Sequence, residues 1–386
     1  MRSTRLGKIA AASAAVLLFA AACGDDDDGN GTTAPENGDS EAACDLSLAF
    51  FGALTGDAAN LGINIRNGVE LAIDQYNEEN ADCEVNLVEL DSQGSPDQAP
   101  ALAQEAINDE TVVGIIGPAF SGESAAANPL FEEAGLPIIS ASATNPDLAG
   151  PDIFHRLVAN DGAQGPAVAS YIRDIAGAQA VFVVDDSSEY GLGLADIVRS
   201  DLGDLVVGND AVQAGQTDFS ATVTAIRGAN ADAVFFGGYY TEAGLLTAQL
   251  RSAGITATFV SGDGSKDPGF VDAAGAEAAE GAILTCPCFP PDQASGTFFD
   301  DYEAAYGSAA GTYSAEGFDA TSVFLDAIEA GNSTREDVLT FIDEYNEEGI
   351  TSQIEFAEDG EIATVSIWAY RVEGGEVLGD QVIEVE

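Results

Sequence analysis

Short apolar runs alternate with longer stretches in which apolar residues recur every three or four positions, and the alternation holds from residue 46 to residue 285. Runs at 46–51, 85–90, 112–116, 137–140, 181–184, 234–236, 259–261 and 283–285 predict buried strands. Between the first two, Ile65, Val69, Ala72, Ile73 and Tyr76 share one helical face, with Arg66, Asn67, Glu70 and Asp74 on the others. Strands alternating with helices in this way predict parallel sheets covered by helices on both faces. Two stretches are built alike. Residues 112–140 and 233–261 each read strand, Gly-containing loop, helix, then an Ala-Gly step and a second strand. Both place small and hydroxyl residues just past strand carboxyl ends, where open α/β sheets bind ligands. Two such units predict two lobes with a ligand between them. Near the end, 354–356 and 365–372, joined through Asp359-Gly360, predict a β-hairpin.

The N-terminal pattern differs. Arg2, Arg5 and Lys8 precede an uncharged, mostly apolar run at 9–22, shorter than the roughly 20 residues that span a bilayer. It reads as a secretory leader, 1–22. Its end, Ala20-Ala21-Ala22-Cys23, resembles a bacterial lipobox in which Cys23 is lipidated, although Ala20 stands where Leu is usual. Ordinary cleavage with Cys23 incidental is the alternative. The segment 23–43, with its Asp25 to Asp28 run, has no apolar period and is expected to be a disordered acidic tether.

Charge adds a second constraint. The chain carries 66 acidic against 12 basic residues, a formal charge of −54. Three of the bases lie in the leader, so the exported part is more acidic still, and Lys266 is its one lysine. Such a charge is tolerable where salt screens it, which predicts a salt-adapted host. It also excludes nucleic acid as a partner, because no basic stripe meets phosphates. Cys44 and Cys83 each stand just before a predicted strand, and neighbouring strand starts allow a Cys44–Cys83 disulfide. Closing that loop stabilises by about 3–4 kcal/mol if unstrained. Cys286-Pro287-Cys288 is either a local disulfide or two thiols. One histidine, His155, in the whole chain argues against a metal centre, and no cofactor is expected. There is no G-x-S-x-G elbow and no second histidine for a triad, so an enzyme is the losing class.

Phe51-Gly52-Ala53-Leu54-Thr55-Gly56, Gly117-Pro118 with Ser121, Ser142-Ala143-Thr144-Asn145-Pro146, Tyr190-Gly191 and Gly237-Gly238-Tyr239 together resemble the type I solute-binding proteins. Their order and spacing are similar to the leucine/isoleucine/valine-binding branch that serves ABC importers. The resemblance implies an α/β fold of two doubly wound parallel-sheet lobes joined by three crossover strands, near Asn160, Cys286 to Cys288, and Val365. Lobe 1 then takes 44–160 and 288–365, and lobe 2 takes 161–287 and 366–386. It also implies an amino acid ligand, an ABC permease as membrane partner, a lipid anchor and a monomer. A ligand sensor for a membrane receptor is the other use of the same fold.

An amino acid needs a carboxylate cradle, an acid for its ammonium and a side-chain pocket. Ser121 opens a helix, where free N–H groups and the helix dipole favour an anion. Thr144 offers a hydroxyl and an N–H, and Ser142 a carbonyl. Read by residue type alone, these are equally caps and turn formers; the resemblance assigns Ser121 and Thr144 to the carboxylate, and Ser142, Thr144 and Asp263 to the ammonium. Asp263 follows a strand of the second lobe, at a position where the family often carries glutamate. By the same matching, Leu61, Phe120, Ala143, Tyr190, Tyr239 and Tyr313 form the pocket and lid. None is charged, which favours leucine, isoleucine or valine; amides, urea and aromatic acids are the alternatives that the family admits.

Overall fold

The computed structural model describes residues 45–383. Cys23, Cys44, the leader and the tether lie outside them. The first sheet is all parallel and holds β1 (Leu46–Gly52), β2 (Val85–Asp91), β3 (Val112–Ile116), β4 (Ile138–Ser140) and β5 (Phe154–Arg156), in the spatial order β2-β1-β3-β4-β5. Helices α1 (Ala59–Glu79), α2 (Ala99–Asn108) and α3 (Ser121–Ala134) connect its first four strands. The chain then leaves through 157–160 into α4 (Asp161–Ser170) and a second sheet.

That sheet gathers β6 (Val181–Asp185), β7 (Val206–Ala211), β8 (Ala233–Gly237), β9 (Thr258–Ser261) and β10 (Ile283–Cys286). Helices α5 (Glu189–Leu202), α6 (Ser220–Ala229), α7 (Tyr240–Ser252), α8 (Pro268–Ala274) and α9 (Ala276–Ala279) lie between its strands. After β10 the chain returns to the first lobe. There α10 (Phe298–Tyr306) and α11 (Ser314–Glu329) pack on α1, and α12 (Arg335–Asp343) lies beside α11 and β3. The α1–α11 contact is close: a Cβ at Gly68 would come within 2.0 Å of the Ser314 carbonyl oxygen, so only glycine lets these backbones meet.

The tail departs from expectation. No hairpin joins 354–356 to 365–372. Instead β11 (Asn346–Glu348) pairs with β12 (Gln353–Glu355), and β13 (Ile367–Glu373) pairs antiparallel with β14 (Glu376–Ile383). Gly374 and Gly375, at φ 62° and 88°, supply the two-residue turn between β13 and β14. Asp359-Gly360 does turn the chain, and Phe356 pairs antiparallel with Ile362 across it, but the pairing stops there; the Gly360 carbonyl accepts the Arg156 N–H at 2.9 Å, laying Glu361 against the edge of β5. Through β13 the last hairpin joins the second sheet beside β10, giving the order β14-β13-β10-β9-β8-β6-β7.

Cys286 and Cys288 are disulfide-bonded to each other where the chain leaves β10, which resolves the alternative left open by the sequence. Cys83 is disulfide-bonded as well. Its expected partner, Cys44, is outside the described residues, although Leu46 does pair with Val85 at the start of β1 and β2.

Candidate functional site

In the first sheet the order reverses between β1 and β3, and in the second between β6 and β8. Loops leaving adjacent strands at such a switch point diverge to opposite faces and open a crevice. The two crevices face one another. Between them lies a small cavity, lined from the first lobe by Leu61, Ile65, Ala119, Phe120, Ser121, Ser142 and Tyr313, and from the second by Tyr190, Tyr239, Asp263 and Gly264. Eight of the expected site residues are thus brought together. Ile65, Ala119 and Gly264 were not anticipated; Ile65 is simply the next apolar turn of α1 after Leu61. Ala143 and Thr144 do not line this cavity. Ala143 packs into the core of the first lobe, and its carbonyl accepts from Arg156 at 2.8 Å.

The polar end is built around the head of α3. Its first N–H groups have no intrahelical partner, and the Ser121 hydroxyl accepts the Asn145 N–H at 3.3 Å. Ser142 donates its hydroxyl to the Ala119 carbonyl at 2.7 Å. The loop 143–145 is fixed by Arg156, fully buried, which donates to the carbonyls of Ala143 and Asn145 and forms a two-pronged pair with Glu361. That clamp sets the position of Thr144.

Asp263 is more heavily engaged than expected. Its Oδ1 accepts from Tyr190 (2.8 Å) and Gln164 (2.9 Å), and its Oδ2 from Tyr313 (2.8 Å). The Tyr190 hydroxyl in turn accepts the Gly264 N–H at 3.0 Å. Tyr190 therefore presents its ring, not its hydroxyl, to the cavity, beside Tyr239 at 5.3 Å between centroids.

Asp161 is the residue that sequence reasoning missed. It is fully buried, and its N–H donates to the Thr144 carbonyl at 2.8 Å. Neither of its carboxylate oxygens, nor Thr144 Oγ1, nor Gln164 Oε1, has a well-formed hydrogen bond among the described residues. Burial pushes its pKa well above the usual carboxylate range and the charge of Asp263 adds to this, against relief from Thr144 and Arg156. Burial raises Asp263 as well, with Tyr313, Tyr190 and Gln164 opposing. As an acid following the N-cap Asn160, Asp161 has the ordinary look of a first-turn residue, so no sequence signal marks it.

The lobes touch around the cavity. Asn60 Nδ2 donates to Asp267 at 2.8 Å, Asn145 Nδ2 to Glu189 Oε1 at 3.3 Å, and the Thr312 hydroxyl to the Lys266 carbonyl. This is a closed cleft with a polar floor and aromatic walls. The single histidine lies apart from it: His155 bonds Asp343 at 3.1 Å and packs edge-on to Phe356.

Residues 45–376 match the family model described as periplasmic binding protein. The chain belongs to that family. Its branch is the leucine/isoleucine/valine-binding one. A Leu/Ile/Val-binding protein of Rhizobium johnstonii is 30% identical over 347 residues, which covers 87% of this chain and 94% of that one. The leucine-binding protein of Thermotoga maritima, a solved structure, superposes with a TM-score of 0.81 at 31% identity, covering 88% of this chain and 99% of its own. A Streptococcus pneumoniae branched-chain amino acid binding protein, solved with isoleucine, gives the same TM-score at 28% identity and the same coverages. Periplasmic binding proteins are extracytoplasmic and non-catalytic, and hand a small solute to a membrane permease.

Proposed function

We propose that this chain captures leucine, isoleucine or valine between its lobes and delivers it to the permease of an ABC importer. The observation that carries the reading is the lining of the cavity between the lobes: polar at the Ser121–Ser142–Asp263 end, and otherwise apolar or aromatic. In this reading the first turn of α3 and the Ser121 hydroxyl cradle the carboxylate, backed by Thr144 from behind the cavity wall. The Ser142 carbonyl and Asp263 receive the ammonium through charge-assisted bonds, with the Thr144 hydroxyl and the Asp161 carboxylate behind them. Leu61, Ile65, Phe120, Tyr190, Tyr239 and Tyr313 enclose the side chain, and none offers a charge to an acidic or basic one.

The ligand meets the first lobe and the second closes on it, driven only by the ligand's preference for the closed state. In this reading Cys23 anchors the monomer to the membrane by a lipid. The relatives named for leucine, isoleucine and valine support the substrate class.

A thermal-shift screen in high salt, against the twenty amino acids plus acetamide, urea and benzoate, tests this. A ligand in thousandfold excess over its Kd adds about 4 kcal/mol. Shifts confined to the three branched residues are expected. Shifts only with amides or aromatic acids would retain capture and retire the ammonium site.

A further inference from the structure

Outside the amino acid cavity, beyond the Phe120–Tyr239 edge-to-face pair (centroids 5.4 Å apart), lies a larger, partly open chamber of about 510 Å³. Its carboxylates come from both lobes: Asp57 and Glu123 from the first, and Asp186, Glu189 and Glu242 from the second. Two glutamines, two serines and Tyr239 complete its polar lining, and no lysine or arginine among the described residues lines it. Excess acid on this chain is unremarkable at the surface, where water solvates it. Here two of the carboxylates are buried. Glu123 is 0% exposed and Asp186 2%, and Glu123 Oε2 and Asp186 Oδ2 have no hydrogen-bond partner among the described residues.

Each is held in place by its other oxygen. Glu123 Oε1 accepts the Ser92 hydroxyl, and Asp186 Oδ1 accepts both the N–H (2.9 Å) and the hydroxyl (2.5 Å) of Ser188. Room for Asp186 is made by Gly238, at φ 153°, where a Cβ would stand 2.6 Å from Oδ2. An ion pair is what a buried carboxylate ordinarily requires. Without one, burial pushes Glu123 up to about 8, with Asp91 adding to it, and Asp186 up to about 6, with Glu242 and Asp185 adding. No three acidic, histidine or cysteine side chains among the described residues stand close enough to hold a metal ion. Separate acceptors, one supplied by each lobe, suit a ligand with more than one cationic group.

We propose that this chamber is a second binding site, for a small organic cation bearing ammonium or guanidinium groups, assembled when the two lobes meet. Because both lobes supply its walls, its occupant favours the closed form, and by linkage it tightens the amino acid site.

Agmatine is the probe: it carries one ammonium and one guanidinium, and no carboxylate for the Ser121–Thr144 cradle. Calorimetry of the full soluble chain with agmatine, at saturating leucine and without it, reads the chamber directly. A protein that bound no leucine would still report on this site, so the two proposals fail separately. The expected result is one agmatine per chain, leucine affinity raised about fivefold or more by agmatine, and proton release, since an ionised Glu123 is drawn out. D186N should weaken agmatine binding at least tenfold, and E123Q should abolish the proton release; methylguanidinium, with one charge, should bind less tightly than agmatine. The proposal is overturned if agmatine gives no binding, if it competes with leucine, if D186N and E123Q both bind it unchanged, or if sodium chloride at matched ionic strength reproduces the whole effect.

Discussion

Tyr313 and Asp263 meet across the cleft, the phenol donating to Oδ2 at 2.8 Å, one residue at the head of α11 and the other in the turn after β9. Tyr313 makes this bond from a left-handed backbone, φ 66°. For a bulky residue that conformation costs on the order of 1–2 kcal/mol, so the surrounding structure must hold it there. The bond exists only when the lobes are together. Tyr313→Phe keeps the ring and loses the bond, and a hydrogen bond to a charged group contributes about 1.5–3 kcal/mol. Leucine affinity should fall about tenfold or more by calorimetry, with incomplete compaction in small-angle scattering at saturating ligand. Alanine at Tyr190, Tyr239 or Asp263 should likewise impair closure more than first contact. Full compaction in all of these variants would remove them from the closing mechanism.

A substrate ammonium beside Asp161 and Asp263 should expel a proton. Both carboxyls are raised by burial, and the charge of Asp263 raises Asp161 further. A cation favours their ionised forms, so binding is linked to release, and affinity should rise with pH across the range in which the pair titrates. Calorimetry in buffers of different ionisation enthalpy measures the number released. Proton uptake, or none, would exclude the pair as ammonium partner. Asp161→Asn should reduce the release and weaken leucine binding.

Arg156 links three parts of the chain: β5, the 143–145 loop and Glu361. It is fully buried, and its partner Glu361 is mostly buried, at 17% exposed. Removing one member of such a pair costs about 3–5 kcal/mol, because the other is left uncompensated. Arg156→Met should lower the melting temperature by about 6–20 °C for a lobe of this size, and should also loosen Thr144. Arg156→Lys should recover little, since an ammonium cannot hold the planar fork on Glu361 while reaching two carbonyls. A lysine variant as stable as the parent would show that charge alone suffices.

Much of this was legible in the chain, for physical reasons. Strands buried on both faces must be apolar runs, so β1, β3, β6, β8 and β9 stand out. Edge strand β7, Val206–Ala211, alternates half-buried and exposed positions and includes Asn209 and Asp210, and its signal is lost among loops. The tail was misassigned because Asp359-Gly360 and Gly374-Gly375 both carry turn chemistry, and only the partner strand decides between them. Site residues that sit just past strand ends were readable, as with Ser121, Ser142 and Tyr239. Asp161 and Gln164 were not, because their meaning depends on what another lobe brings to them. The pairing of Tyr190 and Tyr313 with Asp263 belongs to the same class.

Glu123 makes stability depend on pH. Its burial raises the pKa from 4.5 to about 8, with the Ser92 hydroxyl and the Phe120 N–H opposing and Asp91 assisting. A folded-state pKa above the unfolded value means that the native chain holds a proton that the unfolded chain has lost. The contribution is therefore complete below about pH 4.5 and is lost as pH climbs through about 8. Glu123→Gln cannot ionise and keeps an acceptor for Ser92. In high salt, the parent's melting temperature should fall more steeply than the variant's between those limits, and the variant should be the more stable at pH 8.5. Parallel curves would place the carboxylate in a solvated setting.

Net charge sets the last expectation. With 66 acids against 12 bases, most carboxylates have no base to pair with, and ion pairs are few beside them among the described residues. Repulsion between exposed charges is screened beyond about 10 Å at 0.1 M salt and about 3 Å at 1 M. The folded chain concentrates this charge more than the unfolded chain does, so screening favours folding. The melting temperature should therefore climb steadily from 10 mM to molar salt. Potassium chloride and sodium chloride should act alike if screening is the whole cause, and a flat curve would mean that the acidic surface carries no stability penalty. Agmatine at millimolar concentration raises ionic strength very little, so a rise that it causes at low salt, absent in D186N, would separate a bound cation from a screening one.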